Sequence, residues 1–283
     1  VTGVQTCALP ILTGAAPALI GLLIGAVAWE ILGLVWQVEF FPPFHEILVR
    51  LAELFQEGKI LGTTVSLTDA RSSDGLLASL LRLAIGFGFS LVVGVLLGML
   101  MGAFRKVEMA LDVYVYALLT APSLVFAPIF FALFGFKSDG LQKTILGIII
   151  LYTIWIIVVN TASAIRSVPI SLVEMGRSYC ASERQLFFKI ILPAALPLIF
   201  AGLRLGMGRA VKGMINGEMF IVAVGLGGIA KAEGQKFNAA GVLAVLLVII
   251  IVALIMQKLV QVIDGRMTSW LPSTARQGRR RGA

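Results

Sequence analysis

The sequence predicts an all-α integral membrane protein with about six transmembrane helices and a two-helix loop on the cytoplasmic side. Two observations carry this. Only 13% of the 283 residues are charged, where a soluble globular domain has about 25%. The mean hydropathy is +0.98, and the apolar residues come in unbroken blocks that a water-soluble fold of this size could not hide. A soluble enzyme, a disordered chain and a disulfide scaffold are excluded on these grounds. Two cysteines and one histidine supply neither a disulfide framework nor a clustered metal site. No cofactor is expected.

A spanning helix needs about 20 apolar residues at about 1.5 Å rise each. Six segments qualify: 15–36, 83–104, 113–136, 144–165, 198–224 and 237–257. The first is interrupted only by Glu30, where Trp29-Glu30 marks the outer interface, and Phe41-Pro42-Pro43 stops it. Residues 44–57 then place Ile47, Leu51, Leu54 and Phe55 on one helical face, which predicts an amphipathic helix on the membrane surface. His45, the single histidine, reads as a solvated surface residue, with a pH-sensing role as the alternative. In the second span Gly94, Gly98 and Gly102 recur every four residues and permit close helix packing. The third span contains Pro122 and Pro128, either a gating kink or passive kinks. The fourth is charge-free.

The fifth span carries Arg204, Arg209, Lys212 and Glu218. At about 100° per residue, Arg204, Lys212 and Glu218 fall within an arc of about 120°, with Arg209 outside it. These three are the candidate pathway residues, lining a route that attracts an anion. The competing reading has Arg204 and Arg209 near the cytoplasmic face, paired with lipid phosphate or the loop, and Glu218 in an ion pair with Lys212.

With the N-terminus inside, the inner loops and tail hold twelve basic residues, the outer side eight, and the fifth span Arg204, Arg209 and Lys212. The bias is sharpest on the short loops and the tail, so both termini read as cytoplasmic. The net charge of +8 is then topology rather than a nucleic-acid footprint. Residues 271–283 form a basic cytoplasmic tail in which Arg279 to Arg281 favour anionic lipid. Residues 1–11, VTGVQTCALPI, resemble translated sequencing-adapter read-through and are left out of the fold reasoning. Cys7 is then not part of the natural protein, and 12–270 is the membrane domain.

The segment 167–193 is too long for a mere connection between spans. Pro169 sets a turn, and Ser171 and Glu174 have the S-x-x-E spacing of a capping box. A short helix follows to about Tyr179. Ser182 and Gln185 repeat the spacing and start a second helix, which Pro193 ends. Two short helices joined at Cys180-Ala181 make a docking surface for a soluble partner.

Here the chain resembles a known family. Glu174-Met175-Gly176, position 180, and Ile190-x-Leu192-Pro193 keep the spacing of the E-A-A-x3-G-x9-I-x-L-P signature of ABC importer permeases. The run from Leu192-Pro193-Ala194-Ala195 through Arg204, Arg209 and Glu218-Met219 is similar to the nitrate, sulfonate and taurine branch. The resemblance covers residues 15 to 270. It implies that the loop 166–197 is the ATPase-coupling loop, carried by Glu174, Met175, Gly176, Cys180, Ala181, Ser182, Ile190, Leu192 and Pro193. It implies cytoplasmic ATPase subunits as partners, an extracytoplasmic substrate-binding protein, a permease homodimer in the bilayer, and a small anionic solute. The sequence has no G-x4-G-K-[ST] phosphate loop, so ATP hydrolysis is expected on a separate chain. The departures are Met175 and Gly176 in place of two alanines, and Cys180 in place of the glycine. If that turn needs φ > 0, the cysteine costs about 1 kcal/mol.

Three alternatives compete. A secondary transporter, not driven by ATP, predicts an inverted repeat or paired broken helices, and neither is found. A membrane enzyme needs a cluster of catalytic groups, and none is visible. A multi-pass scaffold without transport stays open.

Overall fold

The structure is a computed structural model that describes residues 16–36, 38, 40–62 and 75–267. The expectations for residues 1–11 and for the tail 271–283 lie outside the described residues. Every regular element among the described residues is helical.

Three helices make the centre: α3 (Gly75–Ala103), α6 (Ser138–Arg166) and α9 (Leu192–Gly217). α6 is packed from both sides by glycine rows. On the α3 side, a Cβ on Gly94 would lie 3.0 Å from Ile157 Cγ2, and one on Gly98 2.6 Å from Thr161 Cβ. On the α9 side, a Cβ on Gly206 would lie 2.8 Å from Ile157 Cγ1, and one on Gly213 3.0 Å from Tyr152 Cβ. Lipid gives helices no hydrophobic reason to associate, so close backbone approach at small residues supplies the contact. Ile145, Ile149 and Ile157 of α6 fill the seam and are fully buried.

The third predicted span is not one helix. It divides into α4 (Arg105–Thr120), a 3-10 turn (Ser123–Phe126) and α5 (Ala127–Phe134), with a bend of 98°. Ala121 is extended at φ −60°, ψ 137°, because the ring of Pro122 disfavours a helical residue before it. Pro128 sits in the first turn of α5, where its missing N–H costs nothing.

The outer helices are α1 (Ala16–Trp36), α2 (Phe44–Gln56), α10 (Gly225–Gln235) and α11 (Ala239–Met267). The Trp29 indole N–H donates to the Pro42 carbonyl at 3.1 Å, and its ring stacks on Phe41. α2 has the predicted apolar face, but Ile47 and Leu54 are buried against Leu226, Ala230, Ala244 and Val245. The face covers α10 and α11 instead of the membrane surface. α10 itself lies between the fifth and sixth predicted spans, bounded by Ala223 and Phe237, both at φ 56°. α11 runs to Met267, ten residues beyond the predicted end at 257.

Candidate functional site

The loop after α6 forms α7 (Ile170–Ser178) and α8 (Glu183–Leu186). α7 ends as a Schellman turn. The Cys180 N–H donates to the Arg177 carbonyl at 2.9 Å, and the Ala181 N–H to the Gly176 carbonyl at 3.1 Å. This geometry needs the left-handed region at position 180, and Cys180 has φ 56°. The non-glycine residue is therefore strained at the one backbone position where the turn demands φ > 0.

Ser182 opens α8 with a capping box. Its hydroxyl oxygen accepts from the Gln185 N–H at 3.4 Å, and the Gln185 side-chain oxygen accepts from the Ser182 N–H at 3.0 Å. The other predicted box does not form: α7 has Pro169 as its N-cap, with no side-chain cap bond. Pro169 takes the extended capping position, so Ser171 falls inside the first turn, two residues too late to cap.

Pro193 does not end the second helix. α8 continues through a π turn (Phe187–Ile191) into α9, giving one helix over Glu183–Ile221, 39 residues long. The wide π turn lies where the Pro193 ring would clash with the carbonyl four residues back. The second helix of the loop and the apolar helix after it are thus one rod. Gly176 is buried where α7 meets it, and a Cβ there would lie 2.5 Å from Ile190 Cδ1 and 2.7 Å from Leu186 Cδ1. Leu192 and Pro193 are half-buried just past the turn. Glu174, Met175 and Tyr179 face outward, with Tyr179 82% exposed.

The structure separates the three candidate pathway residues. Arg204 lies 3.7 Å from Asp264 of α11. Lys212 is exposed. Glu218 is fully buried and pairs not with Lys212 but with Arg82 of α3, at 2.8 Å. The Ser79 hydroxyl donates to Glu218 at 2.8 Å and the Gly227 N–H at 3.2 Å, while Arg82 also donates to Gln142 at 3.0 Å. One cluster so binds α3, α6, the end of the α9 rod and the start of α10. The sequence reading missed Arg82 by leaving it in the loop before the second span. The available signal was Ser79-x-x-Arg82, two polar groups on one face of an otherwise apolar run.

On the other side of α10, Glu233 is 2% exposed and accepts from Arg50 at 3.0 Å, Asn238 at 2.7 Å and Lys236 at 3.2 Å. Burial pushes its carboxyl up, but the hydrogen bonds from Lys236 and Arg50 outweigh this and hold it below the usual range. His45 is partnered as well: its ring nitrogen lies 2.7 Å from Glu30.

Comparison with known proteins places the fold and the loop together. Residues 91–269 match the family described as the binding-protein-dependent transport system inner membrane component. A nitrate import permease protein of Synechocystis is 36% identical over 56% of this chain and 57% of its own length. An aliphatic sulfonates transport permease protein of Bacillus subtilis is 29% identical over 88% of this chain and 87% of its own. A bicarbonate transport system permease protein of Synechococcus elongatus is 33% identical over 60% of each. The chain so spans little more than half the length of the nitrate and bicarbonate relatives. Among solved structures, the inward-facing MetNI methionine ABC transporter aligns with a TM-score of 0.58 and 21% identity, over 67% of this chain and 93% of that one. That likeness concerns the fold alone.

Proposed function

The chain belongs to the family of binding-protein-dependent transport system inner membrane components, and from that premise we propose how it works. It is a permease subunit of an ABC importer, a multi-pass inner-membrane transport component rather than an enzyme. In our reading the exposed side of α7 and α8 docks on a cytoplasmic ATPase subunit. Glu174, Met175 and Tyr179 make the contact, and Cys180, Ala181 and Ser182 set its angle. Both termini lie on the same, cytoplasmic side. Two copies of the chain form the pathway, and an external binding protein delivers the solute. Three relatives are named for the anions nitrate, sulfonates and bicarbonate, one for the neutral formylaminopyrimidine, and a small anion is the solute proposed here.

The observation that carries this reading is the 39-residue rod. A docking surface joined to a spanning helix without a break can move that helix as a lever. At about 1.5 Å per residue the rod is nearly 60 Å long, more than a bilayer with its headgroups. The test is co-purification with ATPase subunits together with transport. Glu174→Arg and Tyr179→Ala should release the ATPase and lower ATP-driven uptake by tenfold or more, while the permease still inserts. Full retention of the ATPase by both variants would contradict the docking assignment.

A further inference from the structure

We propose that the cavity at the 98° bend between α4 and α5 is an intramembrane subsite for a small oxoanion, with Arg209 as its cation and the Tyr152 hydroxyl as a second donor. This deepens the permease reading above and rests on it. The cavity has a volume of about 230 Å³. Its lining comes from three directions: Thr120, Pro122 and Ser123 at the bend, Tyr152 and Trp155 of α6, and Arg209 of α9.

Depth comes first. Tyr152 is the midpoint of α6, fourteen residues from Ser138 and fourteen from Arg166, or about 21 Å from either end. A guanidinium at that depth is costly and marks a site that faces a cavity or a partner. Two other arginines of the apolar helices have theirs: Arg82 has Glu218, and Arg204 has Asp264. Among the described residues, Arg209 has neither an ion pair nor a hydrogen bond. It is exposed and lines the cavity.

Polarity comes second. The Trp155 Nε1 is buried and has no hydrogen-bond partner among the described residues. That nitrogen is closed to water and therefore to an anion in the cavity, so the donors must come from elsewhere in the wall. Tyr152 accepts from the Asn216 amide at 2.8 Å, which leaves its own proton to donate. Thr120 donates back to the Tyr116 carbonyl at 3.0 Å and offers only its lone pairs. Among the described residues no carboxylate lines the cavity. The larger cavity, about 370 Å³ near α10, has Glu57 and Lys59 in its wall, and these two pair with each other, so it carries no unopposed positive charge. A planar guanidinium with a hydroxyl donor in the same wall fits two oxygens of one nitrate, sulfonate or carboxylate group. The volume leaves room for several waters.

The experiment uses the purified permease–ATPase complex without binding protein, with methanesulfonate as probe and saturation-transfer NMR on its methyl group as readout. Nitrate should compete, and uncharged dimethyl sulfone should give no saturable transfer. Arg209→Gln should weaken methanesulfonate binding at least tenfold, Arg209→Lys less, and Tyr152→Phe about threefold. Unchanged affinity in both Arg209→Gln and Tyr152→Phe would overturn the site, as would equal saturation by dimethyl sulfone. ATP-driven uptake of the same complex is measured in parallel. Uptake of a neutral or cationic solute would overturn the subsite and leave the permease reading standing. Absence of any ATP-driven uptake in the wild type would sink the permease reading first.

Discussion

The Cys180 turn and the Glu218 cluster sit at opposite ends of one helical rod, and they are held in opposite ways. At the Cys180 end the bonds seen among the described residues reach no more than six residues along the sequence, and Arg177 to Cys180 and Ser182 to Gln185 are exposed. At the Glu218 end the bonds reach from residue 218 back to 79 and 82, and the side chains are fully buried. The difference teaches where this protein tolerates change. A solvated turn loses about 1 kcal/mol when one bond or one φ value is wrong. A buried charge that loses its partner costs several times more.

The largest expected effect tests the buried end. Glu218→Ala removes the carboxylate from Arg82 and should destabilise the protein by about 3–5 kcal/mol, read as a drop in thermal unfolding temperature in detergent. The double variant Arg82→Leu with Glu218→Leu should recover most of that loss, because well-packed apolar pairs often replace buried ion pairs without cost. A double variant as unstable as the single one would show that the polar hydrogen bonds, not the charges, hold α10. Next comes the glycine seam. Gly98→Ala should cost about 1–3 kcal/mol, since its Cβ would meet Thr161 Cβ at 2.6 Å and the Val158 carbonyl oxygen at 2.8 Å. The same assay on Gly88→Ala, where nothing lies within 4 Å, should show no loss.

The smaller effects belong to the exposed end. Cys180→Gly should relieve about 1 kcal/mol of strain at φ 56° and leave uptake intact or improved. Loss of ATPase coupling in that variant would contradict the assigned turn. Ser182→Ala should cost about 1 kcal/mol and raise amide exchange in α8. Ser171→Ala should do neither, because its side chain caps nothing. Equal exchange in the two serine variants would erase the distinction drawn between the two helix starts.

What was legible in the sequence follows the same division. The Ser182 capping box and the glycine seam of α3 were readable, because each is a pattern within one helical turn or one face, whereas φ > 0 at position 180 was suggested only by the glycine of the signature that the loop resembles. The Ser171 box carried the same letters and failed, because Pro169 had already taken the cap. Pro193 looked like a helix end. A π turn let the helix pass through it, and no residue pattern announces that widening. Pro122 did signal a break, but the 98° bend depends on what α5 packs against. The apolar face of α2 was visible, while its partner, α10 and α11, was not. Arg82 and Glu218 are 136 residues apart, and only the fold brings them together.

The account stands or falls on a transport measurement. The permease would be reconstituted in proteoliposomes with its ATPase and binding protein, and uptake of labelled nitrate and a labelled sulfonate followed with ATP inside or outside. The expected result is uptake of at least one anion only with ATP on the ATPase side, abolished when Glu174→Arg replaces the wild-type loop. Uptake at the wild-type rate without the ATPase, driven by an ion gradient alone, would contradict it.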